Sequence, residues 1–75
     1  MFNKKIFANR LIMLRKNRHI SALFLAEKIG VSKSAISQFE NAVNYPHCNT
    51  LIKLADYFDV SLDYLVGRSD EPDRR

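Results

Sequence analysis

Four hydrogen-bonding side chains, Lys33, Ser34, Ser37 and Gln38, fall within the short segment KSAISQFE. At helical spacing they share one face, while Ala35, Ile36 and Phe39 share the opposite one. The Gln38 amide both donates and accepts, so it suits adenine N6 and N7 as a bidentate partner, and the Lys33 ammonium suits guanine O6 and N7. The two Ser hydroxyls are permissive and serve bases or phosphates equally. Taken alone, the same four residues also describe an ordinary solvated helix face. The elements around them have to decide.

Those elements are written in residues 20–41, ISALFLAEKIGVSKSAISQFEN. Ser21 is placed to cap one short helix, its hydroxyl accepting from backbone N–H groups that lack an intrahelical partner. Leu25, Ala26 and Ile29 follow as one apolar stripe. Gly30 stands where a left-handed residue ends that helix, a conformation Gly adopts without steric cost. Ser32 caps the next helix after the single spacer Val31. Two short helices joined by a tight Gly-containing turn form the helix-turn-helix unit, which lays its second helix in the major groove of DNA.

The stretch from Arg10 to Gly67 resembles the Cro/phage-repressor-like (Xre-type) helix-turn-helix regulators. The resemblance runs through RLIMLR at 10–15, LAEKIGVSKSAISQFEN at 25–41, Pro46, and TLIKLADYFDVSLDYLVG at 50–67. It implies an all-α, compact five-helix, lambda-repressor-like DNA-binding domain with the helix-turn-helix at helices 2 and 3. It further implies that Lys33, Ser34, Ser37 and Gln38 meet base edges. Phosphate contacts are implied at Ser21, Ser32 and Asn41, with Asn44 and Tyr45 in the following loop. Arg15 and Glu40 match a structural ion pair that joins helix 1 to the end of helix 3. Lys5, Arg10, Lys16 and Arg18 are expected to be general solvated cations.

Several positions depart from the pattern. Ala22 replaces the Gln that usually opens helix 2 and anchors a phosphate. Leu23 and Phe24 stand where solvent-facing polar residues are usual; they are expected to pack on Phe2 or Phe7, or else to form a protein contact surface. Ala42 replaces a Gly common after helix 3, so Asn41 is expected to take the left-handed conformation there.

The rest of the chain is read as helices over about 4–17, 48–58 and 61–67. Asn3 is expected to cap the first, with Phe7, Leu11 and Leu14 facing inward. Leu51, Leu54, Ala55 and Phe58 are the buried side of the fourth. The 75 residues are expected to form one domain over 1–67, without a second ligand-binding or protease-like half, followed by a charged, disordered tail over 68–75. Residues 1–53 carry nine Lys or Arg against Glu27 and Glu40, a balance of +7, whereas residues 54–75 balance at −3. A basic half that also holds the helix-turn-helix is what phosphate binding requires. A small domain can also carry lopsided charge by chance.

Other chemistries find little support. A single cysteine excludes an intrachain disulfide, and Cys48, His19 and His47 match no metal-ligand spacing, so no metal or cofactor is expected. Cys48 is expected to be a buried thiol. No catalytic triad, carboxylate pair or phosphate-cradling Gly loop is present, which argues against an enzyme. No apolar run approaches a membrane span, and a cytoplasmic location follows as the default.

The function expected is a sequence-specific transcriptional regulator, a repressor that binds a pseudo-palindromic operator in double-stranded DNA as a homodimer. Tyr45, Tyr64, Leu65 and Val66 are candidates for the dimer contact, or else they close the core. Rival readings are an antitoxin, with a toxin as protein partner, a restriction–modification controller, and an interaction module that has lost DNA binding. An antirepressor is a further possible protein partner.

Overall fold

Asn3 opens the first helix: its Oδ1 accepts from Lys5 N at 2.9 Å and Ile6 N at 3.2 Å. The computed structural model describes residues 3–73 and contains five helices. They are α1 (Lys4–Asn17), α2 (Ala22–Ile29), α3 (Lys33–Glu40), α4 (Cys48–Phe58) and α5 (Leu62–Leu65), with no strand among the described residues. Ser21, Ser32 and Ser61 cap α2, α3 and α5, each Oγ accepting from the N–H three residues on at 3.0 Å. His47 precedes α4 and makes no side-chain cap.

All five helices end the same way. The residues at the ends, His19, Gly30, Ala42, Asp59 and Gly67, all have positive φ, between 56° and 89°. In each case the next N–H reaches back five residues: Ile20 to Arg15 O, Val31 to Ala26 O, Val43 to Gln38 O, Val60 to Ala55 O and Arg68 to Asp63 O. This is the Schellman arrangement, which satisfies a carbonyl the helix leaves open and reverses the chain sharply. After α3 it is Ala42 that turns left-handed at φ 58°, and not Asn41, which stays at φ −95°. The expectation for Asn41 fails because the motif puts the left-handed residue one position later. Ala42 accepts a cost of about 1–2 kcal/mol to hold that geometry.

Each helix contributes to one core. Phe7 and Leu11 from α1, Leu25 from α2, Ile36 from α3, Leu54 from α4 and Leu65 from α5 are fully buried. Phe7 meets Phe39 edge to face, ring centroids 6.2 Å apart. Leu14, Ala35 and Leu51 are only partly buried against this centre. Leu65 and Val66, offered as dimer contacts, are buried in the fold itself. A helix as short as α5 is held by what it buries, here Leu65 with Val66 behind it, while Leu62 stays exposed.

Two further expectations change. Cys48 is exposed, because as the first residue of α4 it lies on the solvent side of that helix start. Residues 68–73 lie against the domain, and Arg10 holds them there. Arg10 donates through NH1 to Tyr64 O and to Ser69 O, and through NH2 to Asp70 Oδ1 at 2.9 Å. Ser61 N donates to Pro72 O at 2.9 Å. Arg10 is therefore a built-in clamp rather than a solvated cation, and its guanidinium stacks 4.1 Å from the Tyr64 ring centroid.

Candidate nucleic-acid interface

The interface is assembled from the turn outward. Gly30 ends α2 at φ 86°, Val31 bonds back to Ala26 O, and Ser32 starts α3 at once. A Cβ at Gly30 would meet nothing within 4 Å, so Gly is needed there for its backbone angle and not for space. The turn is short because both of its ends are capped, and it holds the two helices against a shared core of Leu25, Ile29, Ile36 and Phe39.

With Ile36 and Phe39 buried, α3 turns Lys33, Ser34, Ser37 and Gln38 to solvent on one face. The anchoring at its far end is ionic. Arg15 Nε donates to Glu40 Oε2 at 2.6 Å, NH2 donates to Oε1 at 3.0 Å, and NH1 donates to Ile20 O at 2.9 Å. The guanidinium thus ties the end of α1, the loop into α2 and the end of α3 to one point. Hydrogen bonding to Glu40 raises the Arg15 pKa above its ordinary range; desolvation opposes this and coulombic attraction to Glu40 adds to it. A planar fork of this kind fixes the carboxylate's orientation as well as its position.

The phosphate candidates fall into two groups. Ser21 and Ser32 use their oxygens to cap α2 and α3, which leaves each exposed hydroxyl hydrogen able to donate outward. Asn41, Asn44 and Tyr45 follow α3, where Gln38 O receives both Val43 N and Asn44 N. The loop therefore folds back beside Gln38 and forms a cleft of about 340 Å3 with Val31, Ala35, Asn44, Tyr45 and His47 among its walls. Asn44 Oδ1 accepts from Tyr45 N at 2.9 Å, and Lys4 lies 5.7 Å from the Tyr45 ring. The Asn41 amide nitrogen turns back onto Ser37, 2.8 Å from its carbonyl and 3.3 Å from its Oγ.

Leu23 and Phe24 do not pack away. They are 51% and 41% exposed, and the fully buried Phe7 is spent on the core. Phe2 lies outside the described residues. Lys28 covers part of the Phe24 ring at 5.2 Å. Arg18 lies 5.3 Å from both the Tyr57 and Phe58 rings, so it too is held by the fold; no local pattern around it signals this. Among the described residues no group of His, Cys, Asp and Glu could hold a metal ion, and no helix is long and apolar enough to cross a membrane.

Capped helices, a left-handed glycine turn and an outward polar face on the second helix define a helix-turn-helix domain. The chain belongs to the helix-turn-helix family, whose model matches residues 11–65. It is 40% identical over 68 residues to the uncharacterized HTH-type transcriptional regulator YobD of Bacillus subtilis (strain 168), covering 91% of this chain and 61% of that protein. The transcriptional repressor RstR of the cryptic phage CTXphi in Vibrio cholerae is 32% identical over 59 residues, covering 79% of this chain and 53% of that one. The chain thus spans little more than half the length of these relatives. The structure superimposes on the P22 c2 repressor, solved with a synthetic operator, with a TM-score of 0.81 at 31% identity; the match covers 85% of this chain and 97% of that one.

Proposed function

We propose that this domain binds double-stranded DNA in a sequence-specific way and regulates transcription, acting as a homodimer that represses by occluding a promoter. The observation that carries this reading is the exposed face of α3. Lys33, Ser34, Ser37 and Gln38 are held outward by a helix fixed at both ends, by the Ser32 cap and by the Arg15–Glu40 fork. Base reading needs side chains that donate and accept along one rigid edge, and these four supply both roles. The likeness to a repressor solved on its operator supports the same docking, with α3 in the major groove. Ser21, Ser32 and Asn41, with Asn44 and Tyr45 in the following loop, would meet the backbone phosphates on either side of that helix. In a dimer, two such helices would enter successive major grooves about 34 Å apart.

Selection from a randomised duplex library at physiological salt tests this reading. Enrichment of an inverted repeat with half-sites about one turn apart is the expected result. Folded protein that enriches nothing would overturn it. One observation favours a second reading, a protein-contact role: the exposed Leu23–Phe24 pair at the start of α2. Salt separates the two. Binding through several phosphates weakens steeply as salt rises, whereas binding through an apolar patch does not.

A further inference from the structure

The geometry points to Asn41 as a positioning residue for specificity, one that sets the hydrogen-bond polarity of Ser37; this rests on the DNA-binding reading above. Asn41 closes α3, and its Nδ2 lies 2.8 Å from Ser37 O and 3.3 Å from Ser37 Oγ. The Asn41 backbone N–H also donates to Ser37 O, at 3.0 Å. The side chain is thereby folded back along the helix and held by its own main chain.

A serine hydroxyl is ordinarily ambivalent, with one hydrogen and two lone pairs free to suit whatever approaches. In Ser37 one lone pair faces the Asn41 amide, which can only donate from nitrogen. In a helix the serine hydrogen is often lost to the carbonyl one turn back. Among the described residues, Ser37 Oγ donates to no such carbonyl, so its hydrogen remains for an outside partner. Ser37 is exposed, one position before Gln38 on the same face. With one of its two lone pairs occupied, its outward balance shifts towards donation. Its preferred partners are base edges that accept, guanine O6 or N7 and thymine O4, over the amino group of cytosine.

Asn41 also stands where a phosphate contact is expected, and the two roles predict different things. A phosphate contact contributes about equally to every sequence. A polarity lock acts at one base position and leaves the others alone.

The test compares enriched sites from a randomised duplex library for the unaltered protein, Ser37→Ala, Asn41→Ala and Asn41→Asp, each checked for folding by circular dichroism. Ser37→Ala identifies the position by losing a preference of about tenfold there. Asn41→Ala is expected to bring acceptor and donor edges at that position near parity, with the rest of the site unchanged. Asn41→Asp is the sharper variant. Its carboxylate accepts the Ser37 hydrogen, leaves only lone pairs outward, and should move the preference towards cytosine. Its added negative charge lowers affinity for all sequences without altering that shift. An unchanged site in Asn41→Ala and Asn41→Asp, with uniformly weaker binding, would overturn the lock and leave the DNA-binding reading standing. If the unaltered protein enriches nothing, both fall together. Should Asn41→Ala fail to fold, the cytosine shift in Asn41→Asp decides alone.

Discussion

Arg15 and Glu40, 25 residues apart in sequence, meet through two parallel bonds of 2.6 and 3.0 Å. Their side chains are 16% and 12% exposed, so each has given up most of its water. Glu40→Ala would leave the guanidinium poorly solvated and without its partner. The expected loss is about 3 kcal/mol, the low end for breaking a buried pair because both ends keep some solvent. Arg15→Lys keeps the charge but loses the fork and the bond to Ile20 O, at about 1.5–3 kcal/mol. Replacing both together, Arg15→Met with Glu40→Leu, should recover most of the loss. The raised Arg15 pKa adds stability that is complete below the ordinary arginine range and fades only as pH rises beyond it. Urea unfolding of the three variants checks this, and a Glu40→Ala cost below about 1 kcal/mol would mark an ordinary surface bridge.

The left-handed helix ends sort three substitutions by sign and size. Ala42 holds φ 58° with a side chain, so Ala42→Gly removes strain of about 1–2 kcal/mol, and greater freedom in the unfolded chain offsets about half of it. A net gain is expected. Gly30→Ala meets open space and suffers only the backbone strain, about 1–2 kcal/mol. Gly67→Ala is worse, because at φ 89° its Cβ would also sit 2.8 Å from Ile6 Cγ2. Overpacking there adds about 1–3 kcal/mol. Thermal unfolding should therefore rank Ala42→Gly above the unaltered protein, then Gly30→Ala, then Gly67→Ala. Equal losses at the two glycines would show that Ile6 yields freely.

How far the residues alone reveal this molecule depends on whether a signal is local. Cap residues at Asn3, Ser21, Ser32 and Ser61, and apolar stripes at helical spacing, predict all five described helices, with only the end of α5 overrun by two residues. The polar face of α3 is legible for the same reason: its four residues lie within one helix. The left-handed turn at Ala42 is not legible, because alanine does not favour that conformation, whereas His19 and Asp59 are of types that visit it more readily. Arg10 is missed for a different reason. Its partners, Tyr64 O and Ser69 O, are main-chain atoms far along the sequence, which no residue type announces. Leu65 and Val66 were open between core and surface until the path of α5 settled which way they face.

Arg10 is expected to hold residues 68–73 through carbonyls and not through charge. Asp70 is 99% exposed although it pairs with Arg10 at 2.9 Å, so solvent screens that bridge. Asp70→Asn should leave the melting temperature unchanged. Arg10→Ala loses the carbonyl bonds and the stacking on Tyr64 together, and should lower it. Amide exchange gives the finer readout. The Arg68 and Ser69 amides, both bonded to Asp63 O, should lose protection in Arg10→Ala and keep it in Asp70→Asn. Loss of protection in both would restore the ion pair to the leading role.

Leu23 and Phe24 should be replaceable without unfolding the domain. Both point into solvent, and surface changes away from special contacts usually stay within about 0.5 kcal/mol. Losing the Phe24 ring under Lys28 costs about 0.5–1 kcal/mol more. Leu23→Ser with Phe24→Ser is expected to melt within a few degrees of the unaltered protein. A large fall would place the pair in the core of the working protein and remove the case for a protein-contact surface.

Gln38 and Lys33 provide the last separation, between reading a base and neutralising a phosphate. Gln38→Ala removes a neutral side chain, so the dependence of binding on salt should not change. Discrimination at one base position should fall by about 1–3 kcal/mol. Lys33→Ala is diagnostic either way. If its ammonium donates to a guanine, specificity relaxes at a neighbouring position. If it lies against a phosphate, all sequences weaken alike and the slope of log affinity against log salt falls by about 0.9. Binding isotherms at three salt concentrations, on the selected site and on single-base variants of it, measure both quantities. A Gln38→Ala protein with unaltered discrimination at every position would remove Gln38 from the base-reading face and leave that role to Lys33, Ser34 and Ser37.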